Sequence, residues 1–477
     1  MKLSVHNISE KVLAARYAVR GEVVARAGAL KKKLQEGGHG LPFDRVIHCN
    51  IGNPQEVGQQ PITFFRQVIS LVEYPALLDR PEVTSIFPRD AIEHARHLLS
   101  FVTTTGAYSE SQGVLGVRKA VAQFIAARDG VPATEDNIFL TDGASPGIKS
   151  FLQLLLRNED DAVMIPIPQY PLYSASISLL GGSQAGYYLD EENGWALTPE
   201  ELERSFREAT VGGQNIRALV VINPGNPTGQ VFTEDNIRQI CEFAARRHIM
   251  IMADEVYQEN IYYDNKPFVS FKKVVSDMLP KYPWLSLVSF HSTSKGFIGE
   301  CGKRGGYMEL VNICPSVQQE ILKLQSVNLC SNVVGQMMVE LMVNPPKPGD
   351  PSYELYNKEK TDILVSLKRR SQMLAKAFND LPGVSCQVPE GAMYAFPQVS
   401  IPRKAEVEAQ RIGKTPDELY VLEMLDATGI VVVPGSGFRQ KDGTHHFRTT
   451  FLPSEDQIDS VVDRLSKFHV AFLEKYK

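Results

Sequence analysis

The sequence predicts an α/β fold built on a mainly parallel sheet, and three observations carry that reading. Between about residues 110 and 295, short β-branched apolar runs alternate with amphipathic segments. The runs are too brief for buried helices and are bounded by turn residues. The chain is also long, at 477 residues with 43% hydrophobic, which exceeds what one core holds and predicts two domains.

In chain order, strands are expected at 138–141, 162–165, 218–222, 249–253 and 286–290. Between them, Val114, Val117, Val121, Phe124 and Ile125 recur at helical spacing. Ile148, Phe151, Leu152, Leu155 and Leu156 do the same after Pro146, a residue suited to a first helical turn. The run Pro345-Pro346-Lys347-Pro348-Gly349-Asp350-Pro351 interrupts the helical pattern and marks a boundary. Beyond it, apolar segments at 384–388, 393–397 and 430–434 predict a few strands flanked by helices. No internal repeat or low-complexity tract occurs.

Charge and composition exclude several classes. A net charge of −5, with Lys31-Lys32-Lys33 the longest basic block, argues against nucleic acid as a partner. No stretch approaches the roughly 18 apolar residues that span a bilayer, and the N-terminus lacks the apolar centre of a secretory signal. A soluble, cytoplasmic protein is expected. A mitochondrial presequence is the alternative, which Glu10 and Glu22 fit poorly. Six cysteines without a C-x-x-C pair predict neither disulfides nor zinc. His445 and His446, as neighbours on a strand, would point to opposite faces, so no metal site is expected.

Three stretches at strand ends carry chemistry. Ser292-Thr293-Ser294-Lys295-Gly296 follows the strand at 286–290 and precedes Arg304. A lysine there can form a Schiff base with an aldehyde if its surroundings keep it partly neutral, and the hydroxyls with Arg304 suit a phosphate. Taken alone, Lys295 reads more readily as a surface lysine. Ser292-x-x-Lys295 also matches the S-x-x-K of serine acyl-enzymes, but the accompanying S-D-N and K-T-G elements are missing. Asn223-Pro224-Gly225-Asn226-Pro227-Thr228-Gly229 follows the strand at 218–222; as a turn it is ordinary in any three residues, less so in all seven. Asp254, in Ala253-Asp254-Glu255-Val256-Tyr257, reads as a helix N-cap or as the acid that keeps a pyridine nitrogen protonated. Gly435-Ser436-Gly437-Phe438 begins like a dinucleotide loop but lacks its final glycine.

Together these elements place an amide, an acid with a phenol, and a lysine with an arginine at the ends of three successive strands. Here the chain resembles the fold-type I pyridoxal phosphate aminotransferases, and among them the alanine aminotransferase branch, over nearly its whole length. The resemblance extends through Ser289 to Tyr307, Asn53-Pro54-Gln55, 61–66, Glu390-Gly391-Ala392-Met393-Tyr394 and 434–438. It implies a seven-stranded sheet sandwiched by helices, with a smaller α+β domain built from both chain ends. The implied division is an N-terminal arm at 1–45, the N-terminal part of the small domain at 46–90, a large cofactor-binding domain at 91–345 and the C-terminal small domain at 346–477.

The resemblance also implies roles. Lys295 would bond the aldehyde of pyridoxal 5'-phosphate, Asp254 would face the ring nitrogen, and Tyr257 and Asn226 the phenolic oxygen. Tyr170 would stack on the ring. Ala144 and Ser145, opening a helix, would hold the phosphate with Ser292, Ser294 and Arg304. Tyr108 would reach that phosphate from the neighbouring subunit, making a homodimer with composite active sites. Arg448 would bind the substrate carboxylate, where a planar fork serves better than an ammonium, and Gly52 would let the backbone approach the substrate. The implied reaction is L-alanine plus 2-oxoglutarate to pyruvate plus L-glutamate, with ping-pong kinetics through a pyridoxamine phosphate form. Glyoxylate as acceptor, and a lyase of the aminocyclopropane carboxylate synthase type, are the implied alternatives. A regulator with an aminotransferase-like domain would need a DNA-binding module that the first 45 residues are too few to form.

Overall fold

A computed structural model describes residues 2–17, 21–36 and 39–477. Its centre is a seven-stranded sheet in the order Ile138–Thr141, Gly306–Val311, Leu287–Ser292, Met250–Asp254, Asn215–Ile222, Asp161–Ile167, Ser183–Tyr188. Gly306–Val311 runs antiparallel to both neighbours, and the other pairings are parallel. The α/β expectation therefore holds, with a mostly parallel sheet.

Period-two alternation gives each strand two apolar faces. Val163, Ile165, Val220, Met252 and Phe290 pack beneath the helices Ala144–Leu155, Leu172–Leu180 and Pro315–Val327. Ala162, Met164, Leu219, Val221 and Ile251 pack against Pro199–Val211, Glu234–Arg247 and Phe271–Met278 on the other side. Thr198, Thr233 and Ser270 cap these last three helices by accepting backbone N–H bonds, which aligns each helix over its strand.

Two strands differ from the sequence reading. Ser183–Tyr188 is an edge strand with four of its six residues only part-buried, and it lacks the aliphatic β-branched run that marks the others. Gly306–Val311 is wholly buried but carries Glu309, which breaks its apolar run and is held by an ion pair to Lys272. The segment 430–434 also divides: Ile430–Val431 pairs with Ile47–His48, while Val433–Pro434 pairs with Phe447–Thr450.

A second core joins the chain's two ends. Val23, Ala27, Ile47 and Cys49 pack with Leu374, Phe378, Leu425, Val431, Leu465 and Phe472. The helix Thr63–Glu73, in contrast, buries Phe64, Phe65 and Val68 with Val117, Val121 and Met337, next to the sheet's Ile138 edge. Among the described residues no helix is long and apolar enough to cross a membrane.

Candidate active site

Parallel strands end on the same side of a sheet, so their carboxyl ends form a crevice that helices and loops can line. Asp254 and Ser292 are the last residues of adjacent strands, and Lys295 follows three residues later. Asn226 lies just beyond Asn215–Ile222, and Ala144 opens the helix that follows Ile138–Thr141. A cavity of about 310 Å3 is lined by all of these together with Ser145, Tyr170, Tyr257, Ser294, Arg304, Gly52 and Arg448.

Asp254 is held at the cavity floor. The Tyr173 hydroxyl donates to its Oδ2 at 2.9 Å, while its buried Oδ1 has no hydrogen-bond partner among the described residues. Burial pushes this carboxyl up to about 6, against the bonds from Tyr173 and the Val256 backbone and the charge of Lys295. An unpaired buried acceptor of this kind fits the N–H of a pyridinium ring.

Lys295 Nζ donates to the Gly52 carbonyl at 2.6 Å. A Cβ on Gly52 would overlap the Tyr394 hydroxyl and come within 3.0 Å of Lys295 Nζ, so only glycine leaves room for a substrate there. Asn226 Nδ2 lies 3.4 Å from the Tyr257 hydroxyl, which donates to Tyr394 at 3.1 Å. Burial raises both phenols. For Tyr394 the nearby Lys295 and Arg448 cations outweigh it and leave the group more acidic than usual, whereas Tyr257 stays well above the ordinary tyrosine value. Tyr394 is thus the natural acceptor of the pair.

Arg448, 1% exposed, lies between the rings of Tyr394 and Phe438, 4.3 and 4.7 Å from their centroids. Its Nη1 donates to Asn226 Oδ1 at 3.2 Å and its Nη2 to the Asn50 carbonyl at 2.6 Å. A guanidinium so clamped can present its remaining donors to a carboxylate with little loss of side-chain entropy.

Also in the lining, Arg304 Nη1 reaches Ser294 Oγ at 3.4 Å and the Cys301 carbonyl at 2.9 Å, and Nη2 reaches the Asp142 carbonyl at 2.8 Å. A Cβ on Gly143 would meet Arg304 Nη2 at 2.5 Å; glycine at φ 80° lets the arginine close over the start of the helix Ala144–Leu155. The helix N-terminus, two serine hydroxyls and a guanidinium form an anion cup. Aromatic walls, a pyridinium acceptor, a lysine and this cup match pyridoxal 5'-phosphate group by group.

Tyr108 stands apart. It is 77% exposed and lines a separate depression with Phe101 and Thr104, so this chain's own cavity does not receive it. The two histidines also diverge: His446 stacks on Phe396 with Nε2 2.9 Å from Glu191, while His445 faces Glu406 at 3.7 Å.

Sequence reasoning missed Tyr394, Tyr173, Asn50, Phe438 and Tyr17 as members of the site. Tyr394 lies within the Glu390–Tyr394 motif, and Tyr173 follows Tyr170 at helical spacing, so both left a signal. Asn50 acts through its carbonyl, which no residue type announces. Tyr17 bonds Tyr170 at 3.0 Å between hydroxyls from a segment with no pattern of its own.

Comparison with known proteins agrees with this geometry. The profile of the family described as "Aminotransferase class I and II" matches residues 82–465. The "Probable alanine aminotransferase, mitochondrial" of Dictyostelium discoideum is 54% identical over 481 residues, covering 100% of this chain and 90% of that protein. "Glutamate--glyoxylate aminotransferase 2" of Arabidopsis thaliana is 48% identical over 476 residues, covering 99% and 97%. The solved "Alanine aminotransferase from Pyrococcus furiosus" superposes with a TM-score of 0.77 over 98% of this chain and 100% of that one; at 24% identity it speaks for the fold. With a full-length relative at this identity and a profile match across most of its length, the chain belongs to the class I and II aminotransferases, enzymes that work with pyridoxal 5'-phosphate.

Proposed function

We propose that the chain transfers the amino group of L-alanine to 2-oxoglutarate, with Lys295, Asp254 and Tyr257 as the groups that act on cofactor and substrate. The observation that carries this reading is a single cavity of about 310 Å3 lined by both Lys295, whose Nζ bonds the Gly52 carbonyl, and the clamped Arg448. That space must hold cofactor and substrate together, which favours small amino acids. The Dictyostelium relative, named as an alanine aminotransferase, supports the same substrate.

Bound pyridoxal phosphate supplies an electrophilic aldehyde and a ring that withdraws electrons from the substrate's α-carbon. Arg448 holds the α-carboxylate, with Asn226 Oδ1 and the Asn50 carbonyl fixing its fork. Asp254 would keep a proton on the ring nitrogen, and Tyr173 holds Asp254 in place. Tyr257 and Asn226 would donate to the phenolic oxygen, and Tyr170 would cover the ring. Ser292, Ser294, Arg304 and the N-terminus at Ala144 and Ser145 anchor the phosphate. Lys295 Nζ, the amine that would hold the aldehyde, would also carry the proton from the substrate's α-carbon, and Gly52 leaves that path clear.

Initial rates with both substrates varied test this reading. Parallel double-reciprocal lines with L-alanine and 2-oxoglutarate are expected, and no turnover of L-alanine would overturn it. Glyoxylate as acceptor is the second reading, favoured by the Arabidopsis relative; comparing kcat/KM for the two acceptors separates them. The largely exposed Tyr108 supports a homodimer in which it completes the partner's phosphate cup, which sedimentation and a Tyr108→Phe variant test. We propose the cytosol as its place, with the mitochondrion, named for the Dictyostelium relative, as the alternative that cell fractionation decides.

A further inference from the structure

Outside the active-site cavity lies a larger vestibule of about 1010 Å3 with a mixed lining, bordered by Arg16, Val23, Gln169, Lys414, Leu422 and Arg439. Among the described residues Tyr17 alone lines both spaces. It is therefore the partition between them. Its hydroxyl bonds that of Tyr170 at 3.0 Å, and the Tyr170 phenol in turn lies near Tyr394 and Arg448. Tyr17 thus stands on the Arg448 side of the cavity, where the substrate carboxylate would bind.

The segment bearing Tyr17 is attached from outside. The short helix Glu10–Ala14 lies against Leu172–Leu180, with Lys11 Nζ donating to the Leu180 carbonyl at 3.3 Å. A wall hung on two hydrogen bonds and one helix contact can exclude bulk from the cavity without being built into either core.

We propose that Tyr17 is a specificity-determining residue: its ring closes the substrate end of the cavity and sets the length of amino acid side chain that fits. This rests on the alanine reading above. Removing the ring joins the cavity to the vestibule, and a longer apolar side chain then extends outward past Arg448 instead of meeting a wall. Because one methylene in such a pocket is worth roughly 10–200-fold in discrimination, the effect is large enough to read.

The test compares wild type, Tyr17→Phe and Tyr17→Ala by kcat/KM for L-alanine and for L-norvaline, two methylenes longer. Binding of 2-methylalanine, which has no α-proton to lose, is followed alongside by absorbance titration. Tyr17→Ala is expected to lower the alanine-to-norvaline ratio by at least about tenfold and to weaken 2-methylalanine binding. Tyr17→Phe keeps the wall and is expected to keep the wild-type ratio. An unchanged ratio in Tyr17→Ala overturns the proposal. Wild-type turnover of L-alanine reports on the alanine reading by itself, so the two failures are distinguishable.

Discussion

The two ends of the cleft are built in different ways. Asp254, Ser292 and Lys295 come from two neighbouring strands of one buried sheet, and the parallel register alone brings them together. Arg448 is held by Asn226 and by Asn50, which lie 222 and 398 residues away in sequence, and by rings from two further segments. The cofactor end is thus a property of the sheet, while the substrate end exists only once the second core, built from the chain's two ends, has packed against it. Changes at the first end should therefore abolish chemistry, and changes at the second should alter which substrate is handled and how tightly.

Lys295→Ala should have the largest effect and the plainest one. Losing the group that carries the proton should cost at least about 10⁴-fold in kcat, the upper range of general-base catalysis, while the melting temperature stays close to wild type. Appreciable turnover by this variant would break the assignment of the cofactor end.

Arg448→Ala probes the other end. It leaves a substrate carboxylate without its partner and should raise ΔG‡ for kcat/KM by about 2–5 kcal/mol, most of it in KM. The visible band of the bound cofactor should remain. Loss of that band with the substrate affinity would show that the two ends are not separable.

Asp254→Asn sharpens the comparison through pH. In the cofactor-free protein burial raises the Asp254 carboxyl to about 6 from an unfolded value of 3.8. The folded state then holds the extra proton between those values, so this contribution is fully present below about pH 4 and is lost as pH rises through 6. Without cofactor, the asparagine variant should be the more stable protein by up to about 3 kcal/mol at pH 8, with no such advantage near pH 4. Added pyridoxal phosphate should reverse the order, because the wild-type carboxylate then gains a cationic partner. Urea denaturation at both pH values reads this directly.

Tyr173→Phe should have the smallest effect. It removes one buried hydrogen bond to Asp254 and should cost about 1–2 kcal/mol in kcat/KM, with the alanine-to-norvaline ratio unchanged, since Tyr173 faces the cofactor end.

Legibility in the sequence followed the same division. The runs ending at Thr141, Ile222 and Ala253 were visible because strands buried on both faces are apolar almost throughout and are followed by Asp or Asn at the crevice. Gly306–Val311 was hidden by Glu309, whose burial is tolerable only through Lys272, a partner 37 residues away. Ser183–Tyr188, an edge strand, needs less apolar sequence and so shows less.

The sequence by itself determined the class of fold, the order of the strand-end motifs and hence the family and its cofactor, because strand burial and local turn chemistry are written in contiguous residues. Only the tertiary structure decided that Tyr173 bonds Asp254, that a backbone carbonyl of Asn50 orients Arg448, that Tyr394 closes the space beside Gly52, and that Tyr17 reaches the cavity at all. Those contacts depend on the packing of segments far apart in the chain, and no local pattern of residue types encodes a meeting of that kind.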